Sequence, residues 1–214
     1  MIAVLVVTDE ALGDGPVPDR YDAAVGLARA VASIVEKGHG LVLALACTPH
    51  VAFDTPFDSS VAEAAAGVGY LITQALGNEL KMRGLETKAA MTLVRAEVDY
   101  GHPTFLRPEA PVGPLLEDPE HAHEVDWELR EEPGGWRRVV ASPPPLDIPD
   151  EGAVRALLEE GTAVVAAGYV PVVKDERGLL MGVSALVDPH AAAGMLARRL
   201  GGTMVGLDAL ETLI

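Results

Sequence analysis

The sequence predicts an α/β fold in which helices cover both faces of a mainly parallel sheet, forming a three-layer α/β/α sandwich. Short apolar runs alternate with longer segments of helical periodicity, a pattern typical of parallel sheets. The chain has 214 residues, of which 49% are hydrophobic, so it is large enough to bury one substantial core. No internal repeat or linker interrupts the pattern, and we expect a single domain over 1–214.

The first half of the chain predicts strands and helices in alternation. Strands are predicted over 2–7, 41–46 and 87–98. The first helix is predicted over 19–37, with Asp19 as its N-terminal cap. The second is predicted over 60–83, because Ser60 and Glu63 have the spacing of a capping box.

The second half predicts a hairpin and further α/β units. Segment 99–120 is rich in proline and glycine and is expected to be irregular, whereas 127–141 predicts a hairpin around the turn 132–135. Helices are predicted over 150–161 and over 189–199, the latter with Pro189 in its first turn. Strands are predicted over 162–167, 170–173 and 203–207.

Charge and cysteine content limit the possible partners and compartment. Thirty-two acidic residues against 16 basic ones give a formal charge of −16, which repels nucleic acids and anionic membranes, so neither is expected as a partner. The single cysteine, Cys47, cannot form an internal disulfide, which suits a reducing cytoplasm. The apolar N-terminal run lacks a basic flank and predicts a strand instead of a signal peptide. We therefore expect a cytoplasmic protein.

Three segments resemble carbamate kinase, of the amino-acid kinase family. They are 67–80, 98–114 and the most specific one, Trp-Arg-Arg-Val-Val-Ala-Ser-Pro at 136–143. The resemblance runs from about Ile2 to Leu207 and matches the front part of the family pattern, before its nucleotide-binding region. It implies the family's acceptor-binding fold, with a protruding, lid-like insertion at about 99–135.

The first loop of this resemblance has lost its phosphate-binding character. The family has Gly-Gly-Asn after the first strand, where this chain has Thr8, Asp9 and Glu10. Ligands of open α/β sheets bind at the carboxyl ends of strands, and phosphate loops there use glycine so that backbone N–H groups reach the oxygens. Two carboxylates at this position would repel a phosphate unless a metal ion intervened. The plainer interpretation is a polar loop in which Asp9 or Glu10 caps a turn.

The loop after the second strand is altered as well. The family's Gly-Asn-Gly-Pro-Gln-Val-Gly corresponds to 46–52, which includes Cys47, Thr48 and His50. Cys47 beside His50 suggests a thiolate nucleophile. A small apolar filler at the end of a buried strand is the favoured interpretation of Cys47.

Two further loops lose glycines and lysines. Only Gly168 remains of the family's run of four glycines, and Tyr169 either fills the space of a ligand or contacts one. Asp188 of the family's Ile-Asp-Lys-Asp motif is kept, but Pro189 replaces the lysine, and Leu129 stands where the family has another lysine. Because phosphoryl transfer depends on cationic stabilisation, these changes predict loss of the kinase chemistry.

Two groups of charged residues remain as candidates. Arg137 and Arg138 match the family's basic pair and are candidate anion ligands, or alternatively structural ion-pair partners of Asp147, Asp150 or Glu151. The acidic segment 117–132 contains a His-x-His pair. It could bind a divalent metal, but a solvated flap is favoured, so no metal site is predicted.

We therefore expect a carbamate-kinase-like protein that has lost ATP-dependent phosphotransfer and needs no cofactor. It would act as a homodimer, formed through the helix over 60–83, that binds a small ligand or serves as the subunit of a partner. One alternative is an active transferase whose nucleotide-binding half comes from another chain. A second alternative is an enzyme of different chemistry that uses Asp9, Glu10, His50 and Asp188.

Overall fold

A computed structural model describes residues 1–13, 15–49, 55–118, 120 and 127–206. The strands are β1 Ile2–Thr8, β2 Gly40–Ala46, β3 Ala89–Val98, β4 Ala110–Leu116, β5 Leu129–Glu132, β6 Gly135–Val140, β7 Pro145–Asp147, β8 Ala163–Lys174, β9 Leu180–Gly182 and β10 Thr203–Val205. The helices are α1 Val17–Glu36, α2 Phe57–Met82, α3 Glu151–Glu159 and α4 Pro189–Leu200. Short 3₁₀ helices follow β1, at Asp9–Leu12, and β3, at Pro103–Phe105.

The main sheet has the strand order β10-β1-β2-β8-β3-β7, and β9 pairs with β8. Its five central strands, from β10 to β3, are parallel to one another. The short strands β7 and β9 run antiparallel to their neighbours. The carboxyl ends of β1, β2 and β8 therefore lie at one edge, where the loops of interest begin.

Helices cover both faces of this sheet because its central strands are apolar on both sides. Leu5 of β1 and Leu43 of β2 pack in one buried cluster with residues of α1 and α2. Val4 and Val42, their neighbours along the strands, pack in a second cluster with residues of α3 and α4. The predicted three-layer α/β/α arrangement is confirmed.

A second sheet of three strands, in the order β4-β6-β5, lies beside the main body. Its strands are antiparallel, and β5 and β6 form the predicted hairpin. A small cluster of buried residues joins this sheet to the start of α2 and to β8: Phe57, Val61, Val112, Val140 and Val170. These contacts fix the small sheet against the end of the main sheet.

The starts predicted for the first two helices were wrong. Helix α1 begins at Val17, after Pro16, so Asp19 lies in its first turn and does not cap it. Helix α2 begins at Phe57, after Pro56, and the hydroxyl of Ser60 donates to the carbonyl of Pro56 inside the helix. In both cases a preceding proline, which fixes φ and lacks an N–H group, ends the loop before the expected cap.

Two strand predictions were also wrong. Segment 99–120 is not irregular throughout, since β4 forms there by pairing with β6 despite its prolines. The two strands predicted over 162–167 and 170–173 are one continuous strand, β8. A bulge at Tyr169 keeps β8 paired with β3, because Val94 pairs with Gly168 and Arg95 with Val170. The part of the last predicted strand at residue 207 lies outside the described residues.

In the described part of the chain, no helix combines the length and the apolar character needed to cross a membrane.

Candidate functional site

A pocket of about 360 Å³ lies at the carboxyl ends of β1 and β2, between α1 and α2. Its lining combines polar residues from the two strand ends and the helices with an apolar wall: Asp9, Arg20, Cys47, Thr48, Glu63, Ala64, Gly67, Val68 and Leu71. This is the edge of a parallel sheet at which ligands of such folds bind. The pocket is therefore the candidate functional site.

Asp9 is bonded directly to the loop after β2. The backbone N–H of Thr48 donates to Oδ2 of Asp9 at 2.9 Å. The pairing of Thr8 with Ala46 at the end of the β1–β2 ladder brings the two loops together. A carboxylate of the chain itself thus accepts a hydrogen bond from a strand-end N–H group, the kind of donor that phosphate loops offer to a ligand.

Arg20 is a pocket residue that the sequence analysis missed. It lies in the first turns of α1, and its Nε is buried without a hydrogen-bond partner among the described residues. A buried N–H donor without an acceptor is costly, and ligands or water commonly supply the acceptor. The only available signal was its position near the start of the helix that follows the altered first loop.

Glu63 is a second pocket residue, to which the sequence analysis gave another role. The capping-box spacing had assigned its carboxylate to the start of a helix. Because α2 begins at Phe57, Glu63 lies in the second turn and lines the pocket beside Gly67. The pocket therefore contains two carboxylates, of Asp9 and Glu63, and one guanidinium, of Arg20.

Cys47 lines the same pocket as a neutral thiol. Burial and, to a smaller extent, the neighbouring charge of Asp9 raise its pKa, Arg20 opposes them only in part, and the resulting pKa is about 12. A reactive cysteine requires a lowered pKa, so the surroundings of Cys47 do not favour a nucleophilic thiolate. His50, its suggested partner, lies outside the described residues.

Gly168 and Tyr169 form the bulge of β8 and lie apart from this pocket. A Cβ at Gly168 would contact Ala65 of α2, whereas Tyr169 packs in the cluster with α3 and α4, on the other face of the sheet. Tyr169 is 2% exposed, has φ of 49° and has no partner for its hydroxyl among the described residues. Burial raises the pKa of this phenol. Tyr169 thus fills space in the core in a strained backbone conformation.

The remaining strand-end candidates occupy different positions. Thr8 is half-buried at the end of β1, and Glu10 is exposed in the 3₁₀ helix that follows. Asp188 caps α4, since its Oδ1 accepts a hydrogen bond from the N–H of Ala191 at 2.6 Å. Asp9, Cys47 and Thr48 come together in the pocket, whereas Tyr169 and Asp188 lie on the α3–α4 side of the sheet.

Arg137 and Arg138 have different surroundings although they are adjacent in β6. Arg137 donates to Oε2 of Glu132 at 2.8 Å and to the carbonyl of Gly113 at 2.6 Å. Arg138 is buried, with its guanidinium against the rings of Phe57 and Trp127. The acids suggested as their partners pair elsewhere: Asp147 with Arg199, Asp150 with Arg95 and Glu151 with Arg155.

Within the described ranges, no three histidine, cysteine or acidic residues are grouped in a way that could hold a metal ion. The His-x-His pair of His121 and His123 and the adjoining acidic residues Glu124 and Asp126 lie outside those ranges. The interpretation of that segment therefore remains a prediction.

Comparison with known proteins shows clear similarity to carbamate kinases, although no family model matches the chain. The carbamate kinase-like protein YahI of Escherichia coli is 37% identical over 82% of this chain and 54% of its own length. The carbamate kinase-like protein YqeA of the same organism is 31% identical over 94% of this chain and 71% of its own. The carbamate kinase of Pyrococcus furiosus is 34% identical over 81% of this chain and 62% of its own.

Solved structures show the same fold. The Giardia lamblia carbamate kinase bound to AMP-PNP superposes with a TM-score of 0.84 at 22% identity, over 96% of this chain and 72% of that one. A crystal structure from Aeropyrum pernix K1 gives a TM-score of 0.83 at 28% identity, over 96% and 74%. The chain spans about half to three-fifths of the length of YahI and the Pyrococcus enzyme.

Proposed function

Because this chain belongs to the carbamate kinase family, we propose that it keeps the family scaffold but not ATP-dependent phosphotransfer of its own. It would act as a small-ligand-binding or subunit-type protein, with its ligand in the pocket at the ends of β1 and β2. The two proteins of the family named kinase-like, YahI and YqeA, are among its relatives.

The observation that carries this proposal is the hydrogen bond from Thr48 to Asp9. A phosphate at the ends of β1 and β2 would need free N–H groups and a surplus of positive charge. Here the N–H of Thr48 is already bonded to a carboxylate, and Glu63 adds a second negative charge to the same pocket. A phosphate entering the pocket would displace Asp9 and then face both carboxylates.

The other replaced positions support the same conclusion. Pro189 takes the first position of α4 and has no side-chain cation to offer. Leu129, at the other lysine position of the family resemblance, lies in β5 of the small sheet. Phosphoryl transfer needs cations around the transferring group, and neither residue supplies one.

The pocket chemistry favours a small neutral or zwitterionic ligand. Among the described lining residues, Asp9 and Glu63 carry one negative charge more than Arg20 balances, so a bare anion is disfavoured. An ammonium or amide group could lie near the carboxylates while an oxygen of the same molecule accepts from Nε of Arg20. The apolar wall of Val68 and Leu71 suits a short aliphatic part.

A coupled assay tests the loss of phosphotransfer. The purified chain is given carbamoyl phosphate and Mg-ADP, and ATP formation is followed by luminescence, with the Pyrococcus furiosus enzyme as a positive control. We expect no ATP above background and, in calorimetry with millimolar Mg-ATP, no saturable heat. ATP formation, or a micromolar dissociation constant for Mg-ATP, would contradict the proposal.

A further inference from the structure

A second pocket, independent of the proposed ligand site, lies where the small sheet meets the main body. Its volume is about 170 Å³, and its lining includes Phe105 and Pro108 from the segment after β3, Trp127, Arg138 of β6 and Ser184. Most of this lining is apolar or aromatic, and Arg138 places a positive charge in it. A volume of this size holds a molecule of about six non-hydrogen atoms, judged from the volume of about 30 Å³ per water molecule.

Arg138 is an unusual cation because it is buried and has no carboxylate partner among the described residues. It is only 8% exposed, and its carbon Cζ lies 4.1 Å from the ring centroid of Trp127 and 5.1 Å from that of Phe57. Within the described part of the chain, its one hydrogen bond is a long contact of 3.4 Å from Nη2 to the hydroxyl of Ser184. Buried arginines are normally paired, so this arrangement leaves most of the five N–H donors without an acceptor from the described residues.

Arg138 itself lines the pocket, so part of its side chain borders open space. None of its guanidinium nitrogens is among the described polar atoms that are fully buried without a partner. Glu128 also lines the pocket, but burial lowers the pKa of Arg138 to about 10, and no carboxylate of the described residues opposes this shift. At neutral pH the side chain is therefore a charged, desolvated donor with room beside it.

We propose that this pocket binds the carboxylate of a small organic acid through the guanidinium of Arg138. The planar fork of an arginine matches a carboxylate in a bidentate arrangement. The aromatic rings hold the guanidinium and leave its N–H edges for the ligand. A single cation with Glu128 nearby suits a monoanion with a small apolar body better than a phosphate dianion.

Calorimetry with propionate, propionamide and inorganic phosphate tests this site on the wild-type chain. Propionamide has the shape of propionate without its charge. We expect saturable binding of propionate in the millimolar range, as is usual for so small a ligand, and at least about tenfold weaker binding of the other two. Equal binding of propionate and propionamide, tighter binding of phosphate, or no saturation by propionate would overturn the proposal.

Two matched variants locate the site. Arg138→Gln should weaken propionate binding about tenfold or more, whereas Arg137→Gln, with the same change of charge, should leave it unchanged because Arg137 is bonded to Glu132 and Gly113. In a Trp136→Phe background Trp127 is the only tryptophan, so its fluorescence should change with propionate at the same midpoint. An unchanged Trp127 signal at saturating propionate would show that the acid binds elsewhere.

Discussion

The backbone N–H of Thr48 donates a hydrogen bond to the carboxylate of Asp9 at 2.9 Å, across the ends of β2 and β1. At this edge of the sheet, the N–H donor is therefore bonded to a carboxylate of the chain itself. In an anion-binding strand end the same kind of N–H group would be left for the ligand. The family's Gly-Gly-Asn is replaced here by Thr8, Asp9 and Glu10, and this bond is a structural consequence of that difference. The function proposed for the pocket depends on it.

Cys47 should react slowly with iodoacetamide. With a pKa of about 12 instead of 9.0, its thiolate fraction at pH 8 is lower by about a thousandfold, and the rate should keep rising with pH above 9. Asp9→Asn removes a charge that raises this pKa, so it should speed alkylation, and Arg20→Gln should slow it. Mass spectrometry of time courses measures the rates, with urea-unfolded protein as the reference for an ordinary thiol. Fast alkylation of the folded wild type at pH 7 would mean that the thiol is activated.

Tyr169→Phe should stabilise the fold. The hydroxyl of Tyr169 is buried without a partner among the described residues, so its removal avoids a desolvation cost and should raise the free energy of unfolding by about 1 kcal/mol. Urea denaturation measures the change. Tyr21→Phe is the control, since the hydroxyl of Tyr21 accepts only a long, exposed bond from Asn78 at 3.4 Å, and its effect should stay within about 0.5 kcal/mol. A loss of stability in Tyr169→Phe would indicate that the hydroxyl is satisfied by a buried water.

The chain should form a homodimer through the outer face of α2. Tyr70 and Met82 are 60% and 71% exposed on this helix, and a dimer formed here would cover this apolar surface. Light scattering at low micromolar concentration should give twice the monomer mass. Tyr70→Glu should shift it towards monomer, whereas Leu106→Glu, at a still more exposed apolar residue outside α2, should not. A monomer mass for the wild type would rule out this interface.

Much of the fold could be predicted from the sequence because its central strands are continuous apolar runs. Strands β1 and β2 are buried on both faces, and only a parallel sheet covered by helices accommodates such runs. Helix starts were harder to predict, since Pro16 and Pro56 decide them while Asp19 and Ser60 carry the usual capping side chains. The continuity of β8 through Gly168 and Tyr169 depends on its pairing with β3. This pairing joins segments far apart in the chain and cannot be predicted from the local sequence.

The candidate site was predictable only where residues adjoin strand ends. Asp9, Cys47 and Thr48 follow directly from strand-end positions in a parallel sheet. Arg20 and Glu63 reach the same pocket from α1 and α2. The direction of each side chain depends on where its helix starts, so an error of two or three residues in the predicted start changes the predicted direction. Arg138 has none of the three suggested acids as a partner because Asp147, Asp150 and Glu151 pair with other basic residues in the tertiary structure.

Titration calorimetry with inorganic phosphate shows whether Asp9 occupies the N–H donor that a phosphate would use. The comparison needs the wild type and Asp9→Gly, which removes the carboxylate and frees the N–H of Thr48. We expect no saturable heat for the wild type at millimolar phosphate and measurable, weak binding for Asp9→Gly. Saturable phosphate binding by the wild type with a micromolar dissociation constant would show that Asp9 does not block this donor, and would restore phosphate chemistry to this site.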